Sequence, residues 1–286
     1  MFAMPAPEKM EVNNPIRVPR KDQEALEAIC QWIFDHTGIY YYQKKIKILY
    51  SRLQSLCWQT GIQSLQELYD TLQQPGSEWL AAEVARVVAT NYTFFFREKE
   101  TFDFLQNYIF PSLMNQPTWR IWSAAASSGE EAFSVAMQLS EMLGPDQALQ
   151  RAAILGTDIS YPMIEQAEQG LFSEEKIEML PKVILYKYFE AADSGTWRIS
   201  PKIKQMCTFR RLNLVSYPWP FRQPFHLILC RNIFYYFDKA KQVELIEHLY
   251  DVTAPGGWLL TSVTETFHST PLRWQRIATG IWRKSL

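Results

Sequence analysis

After Pro117 the chain changes rhythm. Strand-like apolar stretches at 119–125, 152–158, 207–213, 225–231 and 257–264 are separated, several times, by helical stretches near 130–143, 161–169 and 239–253. Strands that alternate with helices pair in parallel, because the helix carries the chain back to the same sheet end. The pattern therefore predicts a parallel sheet covered by helices. The run Leu227 to Cys230 is apolar without alternation, as in a strand buried on both faces. The terminal stretch, with Trp274 and Ile281-Trp282-Arg283, predicts an antiparallel edge hairpin. Residues 185–206 lack a clear period and read as an insertion between two sheet strands.

Upstream, residues 22–90 carry helical periods only. Asp22 is placed to cap a helix with Leu26, Ile29, Cys30, Ile33 and Phe34 on one face, and Gly38 suits its end. A second helix is expected from about Gln43 to Thr60, with Leu49, Leu53 and Leu56 as its stripe. Ser64 and Glu67 have capping-box spacing before a third. Pro75-Gly76 breaks the chain, and Ser77 opens a fourth with Leu80, Val84, Val87 and Val88 inward. The expected division is an arm at 1–20, a helical domain at 21–90, a linker at 91–117 and an α/β domain at 118–286.

The 286 residues are 47% hydrophobic, enough for a sizeable core, and their net charge of -1 offers no global field for nucleic acid or an anionic membrane. No apolar run reaches the roughly 18 residues of a membrane helix, and the proline-bearing N-terminus has no signal-peptide core. Cys30, Cys57, Cys207 and Cys230 are widely spaced and the four histidines scattered. Reduced thiols in a cytoplasmic protein are expected, with no metal site.

In an open parallel sheet, ligands bind beyond the carboxyl ends of the strands. The first strand ends in small residues, Ala124-Ala125-Ala126-Ser127-Ser128-Gly129, then Glu130-Glu131 and a helix. Small side chains let a ligand approach the backbone, but one glycine and two acids do not suit a pyrophosphate. A tight turn with acids at the helix dipole is the plainer alternative. Asp158 ends the second strand, placed for a ribose diol or as a helix cap, and Ser160 can cap the helix that follows. The fourth ends in Arg231-Asn232 and aromatics, with Asp238 placed to cap the last helix. Converging on one sheet edge, these residues suggest S-adenosylmethionine, whose sulfonium is positive. The segment Thr90 to Glu98, TNYTFFFRE, fits no helix face and no alternating strand. It reads either as a buried linker or as part of that site.

Together TNYTFFFRE, RIWSAAASSGEE, LGTDIS, RRLNL and CRNIFYYFD closely resemble the CheR family of chemotaxis receptor methyltransferases over about residues 25–283. The resemblance implies a small all-α N-terminal domain, then a Rossmann-like S-adenosylmethionine-dependent methyltransferase domain with a small inserted β-subdomain. It implies methyl transfer to the γ-carboxylate of receptor glutamates, leaving S-adenosylhomocysteine. Carried over by motif position, Asn91, Thr93 and Arg97 would contact the cofactor or the reacting groups. Glu130 would lie near the methionine end and Asp158 at the ribose. Asn213 and Leu214 would flank the adenine, and Arg231 and Asn232 would line the pocket floor. Tyr236 matches the aromatic near the transferred methyl, with Tyr235 its neighbour. A glutamate acceptor, with ordinary pKa about 4.3, needs no general base. Arg97 would orient it and Tyr236 would shape the methyl channel.

Relatives carry several arginines on the second helix that meet the receptor's methylation helices. Here Lys44, Lys45, Lys47 and Arg52 precede Leu56-Cys57-Trp58, a weaker patch. The insertion lacks a glycine-rich loop, with Asp193-Ser194-Gly195 its only candidate turn, so no tether to a receptor's C-terminal pentapeptide is expected. A cofactor-binding scaffold that no longer methylates, and a small-molecule methyltransferase, are the competing readings.

Overall fold

A computed structural model describes residues 18–41, 43–89, 92–265 and 273–286. The expected arm lies outside these residues up to position 17, and Arg20 already begins the first helix.

Four helices form the N-terminal unit: α1 (Arg20–Thr37), α2 (Gln43–Thr60), α3 (Leu65–Leu72) and α4 (Glu78–Val88). Ile29, Ile33, Leu49, Leu53, Leu68 and Val84, all fully buried, build its core. Asp22 does not cap α1. Pro19 precedes the helix, its carbonyl accepting from the Asp22 N–H, and the Asp22 carboxylate instead accepts from the Tyr50 hydroxyl at 2.7 Å. The capping box at α3 forms in a shifted way. Ser64 accepts from the Glu67 N–H, while the Glu67 carboxylate reaches the N–H of Gln63.

The linker leads through α5 (Lys99–Phe104), a π turn at Leu105–Ile109 and a short α6 (Phe110–Ser112). The remaining strands are β1 (Trp119–Ser123), β2 (Ala152–Asp158), β3 (Leu171–Ser173), β4 (Phe189–Ala191), β5 (Thr196–Ile199), β6 (Cys207–Arg211), β7 (Phe225–Leu229), β8 (Thr253–Leu260), β9 (Trp274–Ala278) and β10 (Ile281–Lys284). Between them lie α7 (Glu130–Leu143), α8 (Pro145–Arg151), α9 (Tyr161–Gln169), α10 (Glu174–Ile177), α11 (Lys182–Tyr188), α12 (Pro201–Gln205) and α13 (Lys239–Asp251), whose Asp238 cap is present.

Seven strands form one sheet in the order β6-β2-β1-β7-β8-β10-β9. The first five run parallel, and β10 and β9 add the expected antiparallel edge. Side chains alternate between two buried faces: Leu227 and Leu229 enter one core, Ile228 and Cys230 the other. Strand β8 starts at Thr253 rather than 257 and ends at Leu260. Its register shifts against β7, so Pro255-Gly256-Gly257, a turn signature, sits inside a strand. The small sheet, β3-β5-β4, draws its first strand from Leu171–Ser173, upstream of the irregular span.

The order reverses direction between β1 and β7, so their carboxyl ends flank a crevice. The N-terminal unit closes over it. Asn213 donates to the His36 carbonyl at 2.6 Å, and the Tyr40 N–H donates to the Tyr236 carbonyl at 2.7 Å. Gly38 ends α1 at φ 71°, and a Cβ there would meet Val215 at 2.7 Å and Phe237 at 3.0 Å. No helix among the described residues is long and apolar enough to cross a membrane.

Gly61 has a similar φ of 76° but open space around it. Gly61→Ala should cost about 1–2 kcal/mol from the left-handed backbone alone, and Gly38→Ala about 2–4 kcal/mol because overpacking is added. Urea unfolding of both variants measures the difference.

Candidate functional site

The crevice holds a cavity of about 320 Å³, within the range of small-ligand sites. Most of its lining comes from strand ends and joints, with Phe102 of α5 and Glu131 of α7 besides. Ala124, Ala125 and Ser127 follow β1, Asp158 and Ile159 end β2, and Leu212 to Leu214 follow β6. Arg231 to Ile233 and Tyr235 to Phe237 follow β7. Tyr92, Thr93, Phe94 and Arg97 enter from the linker, and Thr37 and Ile39 from the end of α1.

The three phenylalanines of the linker go three ways. Phe94 lines the cavity. Phe95 is buried between Phe172 and Phe189 of the small sheet, ring centroids 4.9 and 5.3 Å away. Phe96 packs on Phe102. Divergent burial within three residues is why no period fits the segment. Arg97 donates to the Tyr92 carbonyl at 2.8 Å, and its guanidinium lies 5.7 Å from the ring centroids of both Tyr92 and Phe94.

Asp158 is nearly buried. Its carboxylate accepts the N–H groups of Ser127 and Ser160, each at 2.9 Å. Burial raises its pKa above the ordinary carboxylate range, although these backbone hydrogen bonds oppose the rise. Ser160 itself makes no side-chain cap; its N–H is taken by Asp158. The Arg231 guanidinium, also buried, pairs with Glu131 at 2.8 Å and Glu98 at 3.2 Å and donates to the Arg97 carbonyl. Burial pushes the Glu98 carboxyl up, but donors from Ser262, Arg231 and Asn232 hold it below its usual range. Beneath the β7 end, Glu265 accepts the N–H groups of Ser262, Asn232 and Phe234 at 2.9–3.0 Å, and burial raises its pKa.

Residues 91–280 match the family described as CheR methyltransferase, SAM binding domain, and residues 24–82 match its all-alpha domain. This chain belongs to the CheR methyltransferase family. It is 32% identical over 250 residues to a chemotaxis protein methyltransferase of Borreliella burgdorferi, covering 85% of this chain and 88% of that one. It is 30% identical over 249 residues to chemotaxis protein methyltransferase 2 of Pseudomonas aeruginosa, covering 86% and 87%. The Escherichia coli chemotaxis protein methyltransferase is 30% identical over 244 residues, covering 84% and 83%.

The lining of this CheR site suits S-adenosylmethionine. Asp158 keeps acceptor capacity for ribose hydroxyls, while Ile39, Ile159, Leu212 and Leu214 offer apolar walls for a flat base. Glu131, which accepts from the Ser123 hydroxyl and pairs with Arg231, puts a carboxylate in the lining. Of the expected residues, Thr93, Arg97, Asp158, Asn213, Leu214, Arg231, Asn232, Tyr235 and Tyr236 all line the cavity. Asn91 lies outside the described residues. Glu130 does not face the cavity. It is fully buried, bonded to Ser128 and paired with Lys176 of α10, and its neighbour Glu131 lines the cavity instead. Helix α7 is buried almost all round, so periodicity could not tell which acid faces the ligand. The Asn213 amide is spent on His36 and on the Val215 N–H. Sequence reasoning also missed Glu98 and Glu265, whose partners are loop N–H groups and side chains far along the chain.

Glu265→Ala would leave three backbone N–H groups at the β7 end without their acceptor. An expected loss of about 2–4 kcal/mol in unfolding free energy is checked by denaturant titration.

Proposed function

We propose that this CheR family member transfers a methyl group from S-adenosylmethionine to glutamate γ-carboxylates of methyl-accepting chemotaxis receptors. One observation carries the reading: a carboxylate, small-residue turn, arginine and tyrosine pair from separate chain segments meet in one cavity at the sheet's switch point.

S-adenosylmethionine, when bound, supplies a methyl on a positive sulfonium, which leaves as a neutral thioether once a carboxylate oxygen takes the methyl. Asp158 would hold the ribose, Leu214 and the Asn213 backbone region the base, and Glu131 with Thr93 the methionine end. Arg231 and Asn232 would form the floor. Arg97 would orient the incoming carboxylate through charge-assisted bonds. Opposite charges vanish as the reaction proceeds, so tight ion pairing would favour the ground state. Alignment is the better source of rate, worth up to about 7–11 kcal/mol. Tyr236 would shape the methyl channel. Tyr235 and Tyr236 both face the cavity, ring centroids 4.4 Å apart, and Tyr235 is the more exposed.

The acceptor would approach along α2. Lys45 sits over the rings of Tyr235 and Tyr236 at 5.3 and 5.0 Å, placing that end of α2 beside the cavity, and Lys47 is exposed. Arg52 donates to the Val87 carbonyl at 3.0 Å, so it would contribute less than a free cation. The Lys44 side chain lies outside what is described. Four residues, with a tight turn at Asp193–Gly195, join β4 to β5, which supports a subdomain with no pentapeptide tether.

Calorimetric titration with S-adenosylhomocysteine tests the cofactor assignment. Asp158→Ala should weaken binding about tenfold or more, since hydrogen bonds to a charged group are lost. Ribose hydroxyls would favour ionised Asp158, so wild-type affinity should fall as pH drops through its raised pKa and stay level above it. Methylation of receptor-bearing membranes tests the acceptor. Labelled methyl should appear on protein as a base-labile ester, and Lys47→Glu should raise the receptor KM about two- to fivefold without changing S-adenosylhomocysteine binding. Removing receptor C-termini should change nothing; pentapeptide binding lost on altering residues 190–197 would contradict the untethered reading.

A further inference from the structure

We infer that Glu98 is a positioning residue whose carboxylate pins the Arg97 segment to the ends of β7 and β8, and so sets Arg97 at the cavity mouth. The inference rests on the methyltransferase reading above and adds a residue to it.

Glu98 does not line the cavity and so does not touch the reacting groups. Its carboxylate instead gathers donors from two loops. One oxygen accepts from Ser262 Oγ at 2.7 Å and Asn232 Nδ2 at 3.1 Å. The other accepts from the Val263 N–H at 3.3 Å and lies 3.2 Å from Arg231 Nη2. That same Nη2 donates to the Arg97 carbonyl. The peptide joining Arg97 to Glu98 is therefore held at both ends, by the main-chain carbonyl of one residue and the side chain of the next.

The backbone fits such a grip. Glu98 has φ 62° and Asn232 has φ 61°, both left-handed without being glycine. Such conformations persist only where surrounding contacts over-determine them. Here the two residues bond to each other across the junction of linker and sheet. Without the carboxylate, Asn232 and Ser262 lose a shared acceptor. Residue 98 is then free to relax, and the neighbouring Arg97 moves with it. Arg97 would keep its stacking on Tyr92 and Phe94 but not its register against the cavity floor, because those rings belong to the same segment.

The test is a double-mutant cycle on the full chain. Methyl transfer to membrane vesicles carrying chemoreceptors is measured for wild type, Glu98→Ala, Glu98→Gln, Arg97→Ala and the Glu98→Ala/Arg97→Ala double variant, with S-adenosylhomocysteine affinity alongside. Glu98→Ala should lower kcat about ten- to a hundredfold, as expected for a misplaced orienting group, while cofactor affinity moves by less than about threefold. Glu98→Gln keeps an acceptor for Ser262 and should lose less. In the Arg97→Ala background, Glu98→Ala should cost less than about twofold further. A loss by the same factor with and without Arg97, or no loss of turnover, overturns the inference. If Glu98→Ala does not fold, the cycle built on Glu98→Gln decides in the same way. Wild-type protein that binds S-adenosylhomocysteine yet labels no receptor would overturn the acceptor reading and this inference together. Wild-type turnover with multiplicative losses would overturn the pin alone.

Discussion

The guanidinium of Arg231 is the interaction on which the site depends. A buried charge is tolerated only when paired and hydrogen-bonded, and breaking one such pair typically costs about 3–5 kcal/mol. Arg231 is only 5% exposed, and its partners come from two separate segments of the chain. Glu131 stands at the start of α7, Glu98 and the Arg97 carbonyl belong to the linker, and Arg231 follows β7. Pairing the two terminal nitrogens of one cation, whose Nε has no partner among the described residues, therefore ties three segments together around one cavity. The sheet supplies the crevice, and this network decides what faces into it.

That rigidity suits a reaction whose charges cancel. A site for such chemistry gains little from a strong field and much from fixed geometry. The backbone bears this out in a second way. Among the described residues, the non-glycine positions with positive φ are Phe96, Glu98, Ser127 and Asn232. Ser127 and Asn232 line the cavity, and Phe96 and Glu98 flank Arg97. Each conformation costs on the order of 1–3 kcal/mol, which the packed surroundings must offset. Strain sits where the chain must present side chains against its own preference.

The fold was largely legible because both periods were clean. The apolar run from Leu227 to Cys230 and the stripe Leu49, Leu53, Leu56 announced a buried strand and a helix, and both are present. Strand β8 was misplaced because Pro255-Gly256-Gly257 signals a turn in any local reading, and only pairing with β7 makes it strand. Part of the cavity lining was legible for a different reason: in a parallel sheet the residues at the carboxyl ends of the strands must sit at one edge, so Asp158 and Arg231 had to converge. The choice between Glu130 and Glu131 was not legible. It turns on which side of a helix buried almost all round faces the cavity, and on Lys176, which reaches Glu130 from another element. Glu98 was equally hidden, since its partners Asn232 and Ser262 lie far along the chain.

Phe95 gives the small sheet a place in this arrangement. Its ring fills a slot between Phe172 on β3 and Phe189 on β4, one residue from a wall of the cavity. The small sheet is therefore not a cassette that can be exchanged at its chain connections. A subdomain transplanted from a relative must bring a slot of matching shape for a residue it does not itself contain. A graft chosen by its own boundaries would leave a hole beside the linker, and the defect would surface in the larger domain as misplaced chemistry.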